Sequence, residues 1–136
     1  MRENYFLIHG SFGNPYVNWL PYLYKELCER NKEVYVPDFP TGVGFQNYEN
    51  WSKLLKVYLD AGLITENTVI LAHSIAPVFI CKFLIKNKVK VKRLIFVCGF
   101  NNYLGINDEY DNVNCSMYLK NLGDVKAYCD EIICFY

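Results

Sequence analysis

Five short runs of apolar residues, each bounded by turn-forming residues, constrain the fold of this sequence more than any other feature. They occupy residues 5–8, 34–36, 69–71, 94–97 and 132–135. Continuous apolar runs of this length, without alternating polar residues, are typical of strands that are buried on both faces. The runs therefore predict a parallel sheet of about five strands whose two faces are both covered.

The intervals between the first four runs have the spacing of helices. Apolar residues recur every three or four positions over residues 19–27 and 51–59, and residues 75–85 are apolar nearly all round. One-sided apolar spacing predicts surface helices, whereas the all-round pattern predicts a helix buried against the sheet. Strands that alternate with helices imply parallel βαβ units with right-handed crossovers. We therefore predict an α/β protein with a three-layer α/β/α sandwich.

The interval before the last run is less regular. Residues 101–116 are rich in Asn, Asp, Gly and Tyr without clean periodicity, which predicts a long surface loop. Short helices are expected near residues 117–122 and 125–131. No linker or repeat divides the chain, and 136 residues suit one core, so residues 1–136 are predicted to form a single domain.

Composition and charge exclude several classes of function. The 14 basic residues balance the 14 acidic ones, and no basic stripe is available for nucleic acid. No apolar stretch approaches 18 residues and no signal peptide begins the chain, so neither membrane insertion nor secretion is predicted. The six cysteines form no C-x-x-C pair or cysteine–histidine cluster, which predicts free thiols in a reducing cytoplasm and no metal or other cofactor.

The residues that follow the third strand suggest a nucleophile. Ser74 lies between Ala72 and Ala76, and Pro77 follows in the first turn of the next helix. This is the pattern of a nucleophile elbow in which alanines replace the usual glycines, because a sharp strand-to-helix turn leaves room only for small side chains. A serine at such a turn also caps helices or binds anions, so the motif alone leaves those alternatives open.

The residues after the first strand strengthen the catalytic interpretation. His9 and Gly10 begin a glycine-bearing turn of the kind that supplies an oxyanion-hole N–H. The predicted donors are the backbone N–H groups of Ile75 and Ser11, with Phe12 as the second candidate for the latter. His9 is expected to shape this loop and not to act as a base.

Several motifs together resemble a known enzyme family. They are His9-Gly10, Gly13, Pro15, Asn18-Trp19-Leu20-Pro21, then Val34, Val36-Pro37-Asp38, Pro40, and finally Ala72-His73-Ser74. In order and spacing they resemble the small serine hydrolases typified by retinoblastoma-binding protein nine and bacterial YdeN. The resemblance implies an α/β-hydrolase sheet in the order 2-1-3-4-5 without a cap domain, a Ser–Asp–His triad, and a small ester, thioester or amide substrate. Ser74 carries over directly as the nucleophile.

The resemblance also exposes a gap in the catalytic machinery. In such hydrolases the acid and the histidine follow later strands, whereas the only histidines here are His9 and His73. His73 directly precedes the nucleophile, where a tight turn sends adjacent side chains in different directions. The chain is therefore expected to lack the C-terminal portion of its domain and to be inactive or weakly active alone. Asp108, Glu109 and Asp111 are expected to form a solvated loop.

Two other interpretations remain open. The chain is alternatively a non-catalytic binding or interaction module that retains the hydrolase pocket, or a flavodoxin-like phosphate binder with the same strand order. Against the phosphate binder, neither G-x-G-x-x-G nor G-x-x-x-x-G-K-[ST] occurs in the sequence. The apolar last strand would form an open sheet edge, which predicts self-association through that edge.

Overall fold

All five predicted strands lie in one sheet in the computed structural model, which describes residues 2–136. The elements in chain order are β1 (Asn4–Ile8), α1 (Leu20–Glu29), β2 (Glu33–Tyr35), α2 (Tyr48–Asp60), β3 (Thr68–His73), α3 (Ala76–Asn87), β4 (Val91–Val97), α4 (Asp108–Asn114) and β5 (Cys129–Phe135). Every strand pairing is parallel, and the strand order is β2-β1-β3-β4-β5. The predicted α/β architecture and the order 2-1-3-4-5 are confirmed.

The helices α2 and α3 have recognisable local chemistry at their ends. The side chain of Asn47 caps α2 by accepting a hydrogen bond from the Asn50 N–H at 2.8 Å. Pro77 lies in the first turn of α3, where its missing N–H removes no intrahelical bond. Lys88 ends α3 in the left-handed conformation, with φ of +52°.

The main core lies between one face of the sheet and the helices α2 and α3. Phe6, Ile70 and Leu94 point from the strands into this core, where Trp51 of α2 and Phe79 of α3 are fully buried. On the other face, α1 borders a groove with Leu71, Val97 and Phe135. Leu71 and Val97 are half-buried and Phe135 is exposed, so α1 covers this face only in part. Because side chains alternate along a strand, neighbouring residues of β3 face different layers. Among residues 2–136, no helix combines the length and the apolar composition that a bilayer span requires.

The segment between β4 and β5 differs from the prediction. Residues 108–114 form the helix α4 inside the expected loop, and the side chain of Asn107 caps it by accepting from the Tyr110 N–H at 2.8 Å. The expected short helices at 117–122 and 125–131 are 3₁₀ segments at Cys115–Met117 and Leu122–Tyr128. β5 begins at Cys129, so Glu131 lies in the strand. The helix α4 was missed because its buried face is too short to show a period, and capping together with tertiary packing stabilises it.

Candidate functional site

The register of the sheet brings the two predicted site loops together. Ile8 of β1 pairs with Ala72 of β3, so that two residues further along, Gly10 and Ser74 leave the same edge side by side. A Cβ atom built on Gly10 would lie 2.7 Å from Ser74 Cβ and 3.3 Å from Ser74 Oγ. Gly10 thus lies in contact with the Ser74 side chain, and the turn after β1 faces the turn after β3.

Ser74 has the backbone conformation of a sharp strand-to-helix turn. Its φ is +63°, in the left-handed region that costs a residue with a Cβ about 1–2 kcal/mol. The Ser74 N–H donates to the Val97 carbonyl at 3.0 Å, which ties the turn to the end of β4. Ala72 and Ala76 are fully buried beside it, whereas Ser74 is half-buried. Strain of this kind concentrates at functional sites when the surrounding structure maintains it.

Two backbone amides near Ser74 have no acceptor among residues 2–136. Ile75 precedes the first residue of α3, and its N–H belongs to the unpaired amides at the start of a helix. The Ser11 N–H is also unpaired in the part of the chain that the structure describes. The Phe12 N–H, in contrast, donates to Gln46 Oε1 at 3.0 Å. Of the two first-loop candidates, only Ser11 has a free amide.

His9 is buried and both of its ring nitrogens are engaged. Nε2 accepts a hydrogen bond from the Phe39 N–H at 2.9 Å, which requires the tautomer whose Nδ1–H donates to the Gly10 carbonyl at 2.9 Å. Burial lowers the pKa of His9, so the neutral ring is favoured. In this arrangement His9 connects the first loop to the loop before α2 and has no nitrogen free to accept a proton from Ser74.

His73 lies on the other face of the sheet. Its ring packs edge-on against Trp19, at the start of α1, with the ring centroids 5.4 Å apart. Burial lowers its pKa, and within residues 2–136 no carboxylate makes a hydrogen bond to the imidazole. The ring thus lacks the acidic partner that orients the histidine of a catalytic triad.

The acidic residues after β4 do not all lie in a solvated loop. Asp108 and Glu109 are exposed in the first turn of α4. Asp111 is buried, and its carboxylate accepts the backbone N–H groups of Leu104 and Gly105 at 2.9 and 3.1 Å. The expectation of solvent exposure is wrong for Asp111, because its carboxylate replaces water as the partner of these amides and so fixes the loop.

A solved structure has a fold similar to that of nearly the whole chain. The crystal structure of the ydeN gene product from B. subtilis matches with a TM-score of 0.80 and 22% sequence identity, over 97% of this chain and 70% of that protein. The chain has an α/β-hydrolase fold. No protein-family model matches the sequence, and no curated protein matches it significantly.

Two further α/β-hydrolase structures match a smaller part of the chain. An extracellular α/β-hydrolase from a Paenibacillus species has a TM-score of 0.59 and 22% identity over 72% of this chain. A pyrethroid hydrolase from Sphingobium faniae JZ-2 has a TM-score of 0.60 and 18% identity over 78% of it. The chain spans 41% and 43% of the lengths of these two proteins.

An apolar cavity of about 250 Å³ opens beside the first turn of α3 in this α/β-hydrolase fold. Its walls include Pro77 and Val78 of α3, Phe96 of β4, and Phe100. Ser74 does not line the cavity, although Pro77 follows it by only three residues. The volume is below the roughly 300 Å³ at which pockets for drug-sized ligands begin, so a small apolar group fits.

The structure also adds two residues that sequence reasoning missed. Gln46, before α2, and Asn114, at the end of α4, are buried polar side chains that hydrogen-bond to each other at 2.8 Å. Ser11 Oγ donates to Asn114 Oδ1 at 2.6 Å. No local motif marks either amide, since their contacts join segments that are far apart in the sequence.

Proposed function

We propose that this chain carries the nucleophile and the oxyanion hole of a serine hydrolase for small ester, thioester or amide substrates. Ser74 is the nucleophile, and the N–H groups of Ser11 and Ile75 are the oxyanion donors. The observation that carries the proposal is the contact between Gly10 and the strained Ser74, flanked by two unpaired amides. Gly10, the loop residues His9 and Phe12, and His73 at the end of β3 shape the surroundings of the nucleophile.

The proposed chemistry is acyl transfer through a covalent intermediate. Ser74 Oγ attacks the substrate carbonyl carbon while its proton passes to a general base, and the oxyanion receives hydrogen bonds from the two amides. Collapse of this intermediate expels the alcohol, thiol or amine and leaves an acyl-serine ester. Water then attacks the ester, the carboxylic acid leaves, and the Ser74 hydroxyl is restored. The cavity beside Pro77 is the proposed site for a small apolar part of the substrate.

Neither histidine of this chain is available as a general base, and this limits the activity of the chain alone. His9 uses both ring nitrogens for backbone contacts, and His73 packs on Trp19 without an acidic partner. We therefore propose that a base and an acid from outside residues 1–136 complete the triad. Without them the hydroxyl stays protonated, and activity falls by orders of magnitude.

A second candidate follows from the same observation. Neither histidine is suited to catalysis, yet the chain retains the elbow and the apolar cavity. A non-catalytic binding module of this fold would have these same features.

Under either function we propose a cytoplasmic location, supported by six free cysteines among residues 2–136. We further propose that nucleic acid is not a partner.

Covalent labelling distinguishes the two functions. The samples are this chain, a longer form if the gene encodes one, and a Ser74→Ala variant of each. All are treated with a fluorophosphonate probe and examined by intact mass. Ser52, a half-buried serine of α2, provides the matched control as Ser52→Ala. We expect the mass of one adduct on the longer protein and on its Ser52→Ala variant, and none on Ser74→Ala.

The other outcomes are equally informative. The absence of a Ser74-dependent adduct on the longer form contradicts the hydrolase and favours the binding module. An adduct that persists in Ser74→Ala places the reactive group elsewhere and contradicts the assignment of the nucleophile.

A further inference from the structure

Three segments that are distant in sequence meet in a buried hydrogen-bond network beside the first loop. Asn114 Oδ1, at the end of α4, accepts from Ser11 Oγ at 2.6 Å and from Gln46 Nε2 at 2.8 Å. Gln46 Oε1 accepts the Phe12 N–H at 3.0 Å, and Asn114 Nδ2 donates to the Tyr110 carbonyl at 3.0 Å. We call the side chains of Ser11, Gln46 and Asn114 the amide network.

The amide network holds Gln46 and Asn114 through protein partners on both ends of each side-chain amide. Asn114 is fully buried and Gln46 is 3% exposed, so an unpaired amide group here would be costly. Each side-chain oxygen and nitrogen of the two residues has a protein partner. Networks of this kind favour one conformation of the groups they connect. The groups connected here are two consecutive residues of the proposed oxyanion loop.

The amide network decides which N–H of the loop is free. Gln46 engages the Phe12 N–H, whereas the Ser11 N–H has no acceptor among the described residues 2–136. The Gly10 carbonyl, in the same peptide unit as the Ser11 N–H, accepts from His9 Nδ1 at 2.9 Å and from the Gly13 N–H at 3.1 Å. Since the peptide is planar and trans, the Ser11 N–H points away from those two donors.

We infer that Gln46 and Asn114 are positioning residues of the oxyanion hole. By engaging Phe12 N–H and Ser11 Oγ, they fix the loop so that the Ser11 amide alone serves as its donor. Neither residue touches the reacting atoms. The inference rests on the proposed function and deepens it, because it assigns the residues that select one of two adjacent amides.

A small alkylboronic acid tests the inference on the chain as it exists. Trigonal boron is a Lewis acid and accepts the neutral Ser74 hydroxyl without a general base from the protein. An O–B bond forms, the coordinated hydroxyl loses its proton to the buffer, and a tetrahedral boronate is left with oxygens at the oxyanion position. Binding is followed by the amide signals of Ser11, Phe12 and Ile75 in ¹⁵N–¹H NMR spectra. In the wild-type chain we expect saturable shifts for Ser11 and Ile75, larger than for Phe12, and none of these in Ser74→Ala.

Two variants loosen the amide network from different sides. Gln46→Met keeps the side-chain volume but frees the Phe12 N–H, and Ser11→Ala removes only the hydroxyl. We expect Gln46→Met to weaken boronate binding by about ten-fold or more, since a lost oxyanion donor costs on the order of 100-fold in rate and a misplaced one less. The Ser11 amide shift should shrink and the Phe12 amide should exchange faster with solvent. Ser11→Ala should change affinity in the same direction by a smaller factor.

A second buried network supplies the matched control. Thr68 Oγ1 donates to Asn4 Oδ1 at 2.7 Å, at the ends of β3 and β1 that lie away from the candidate site. Thr68→Val removes that hydrogen bond and should lower stability without changing the boronate affinity. If Gln46→Met fails to fold, Ser11→Ala carries the comparison.

Each remaining outcome overturns a specific statement. Unchanged boronate affinity and Ser11 shift in the amide-network variants overturn the inference and leave the hydrolase proposal intact. A shift at Phe12 in place of Ser11 overturns the selection of the donor. Boronate binding that is absent, or unaffected by Ser74→Ala, contradicts the proposed function and the inference with it.

Discussion

Gly10 and Ser74 are in direct contact at the edge of the sheet, although 64 residues separate them in the sequence. A Cβ on Gly10 would lie 2.7 Å from Ser74 Cβ and 3.2 Å from the His73 carbonyl oxygen. Neither atom is the end of a flexible side chain, so a larger residue at position 10 must displace the loop or the elbow. The glycine is therefore required for close approach of the two backbones.

Gly10→Ala is predicted to disturb both stability and the candidate site. Overpacking of this kind costs about 1–3 kcal/mol, and the displaced loop should lower the labelling rate of Ser74 in any form that reacts with a fluorophosphonate. Gly123→Ala is the control, because a Cβ on Gly123 meets nothing within 4 Å and its φ is not positive. Urea unfolding and labelling kinetics measure the two effects. Equal behaviour of the two variants would contradict the contact.

The stability of the protein is predicted to fall as the pH drops below about 6.5, with His9 as one cause. Burial lowers the pKa of His9 from the usual 6.5, so the unfolded chain binds a proton at a pH where the folded chain does not. The free energy of unfolding therefore decreases between pH 6.5 and the lower folded pKa, whereas above pH 6.5 this group contributes no slope. One pKa unit corresponds to about 1.4 kcal/mol.

Urea titrations between about pH 5 and 8 check the role of His9. His9→Gln retains an acceptor for the Phe39 N–H and is expected to be less stable at pH 8 but to show a flatter pH dependence. His73→Gln is the comparison, since burial also lowers the pKa of His73. An identical slope for the wild type and His9→Gln would show that His9 does not contribute.

Self-association is predicted through the outer edge of β5. Within residues 2–136, β5 pairs only with β4, and Phe135 near its end is 57% exposed. An open apolar edge strand pairs readily with another chain, and a charged side chain opposes such pairing. Phe135→Lys should therefore shift the protein toward monomer in size-exclusion chromatography with light scattering. Val57→Lys, on an exposed face of α2, should have no effect; a wild-type protein that stays monomeric at high concentration would contradict the prediction.

The aromatic packing beneath the site predicts a large effect at Trp51. Its ring is fully buried between Phe39, Phe79 and His9, and its Nε1–H donates to the Pro40 carbonyl at 2.7 Å. Trp51→Phe should lower the free energy of unfolding by about 1–3 kcal/mol, because it leaves a cavity and an unpaired carbonyl.

Trp19→Phe is the matched control for this substitution. Trp19 is only half-buried, so its loss should cost less than about 1 kcal/mol. Urea midpoints compare the two variants, and equal midpoints would contradict the packing argument.

The features that local sequence predicted share one property, since each depends on neighbouring residues. The apolar runs predict the five strands because a strand that is buried on both faces needs consecutive apolar residues. Ala72 and Ala76 around Ser74, with Pro77 after it, predict the elbow because a tight turn needs small side chains and a proline is tolerated at the start of a helix. The glycine after His9 likewise predicts a turn of the kind that supplies an oxyanion-hole N–H.

The features that were missed or wrong depend on partners far away in the chain. Asn114 is one of many polar residues in a segment without periodicity, and its role appears only where α4 meets Ser11 and Gln46, which are 103 and 68 residues away. Asp111 is expected in solvent, but it is buried and its carboxylate accepts hydrogen bonds from two loop amides. Packing supplies what α4 lacks in local propensity.

The sequence by itself determined the strands, the first three helices and the residues placed at the two turns, because burial and turn chemistry act over a few neighbouring positions. Only the tertiary structure decided that Gly10 contacts Ser74, that Gln46 engages Phe12 and leaves the Ser11 amide free, and that backbone groups occupy both ring nitrogens of His9. Those facts depend on strand register and on hydrogen bonds between distant loops, and the folded chain alone brings those partners within a few ångströms.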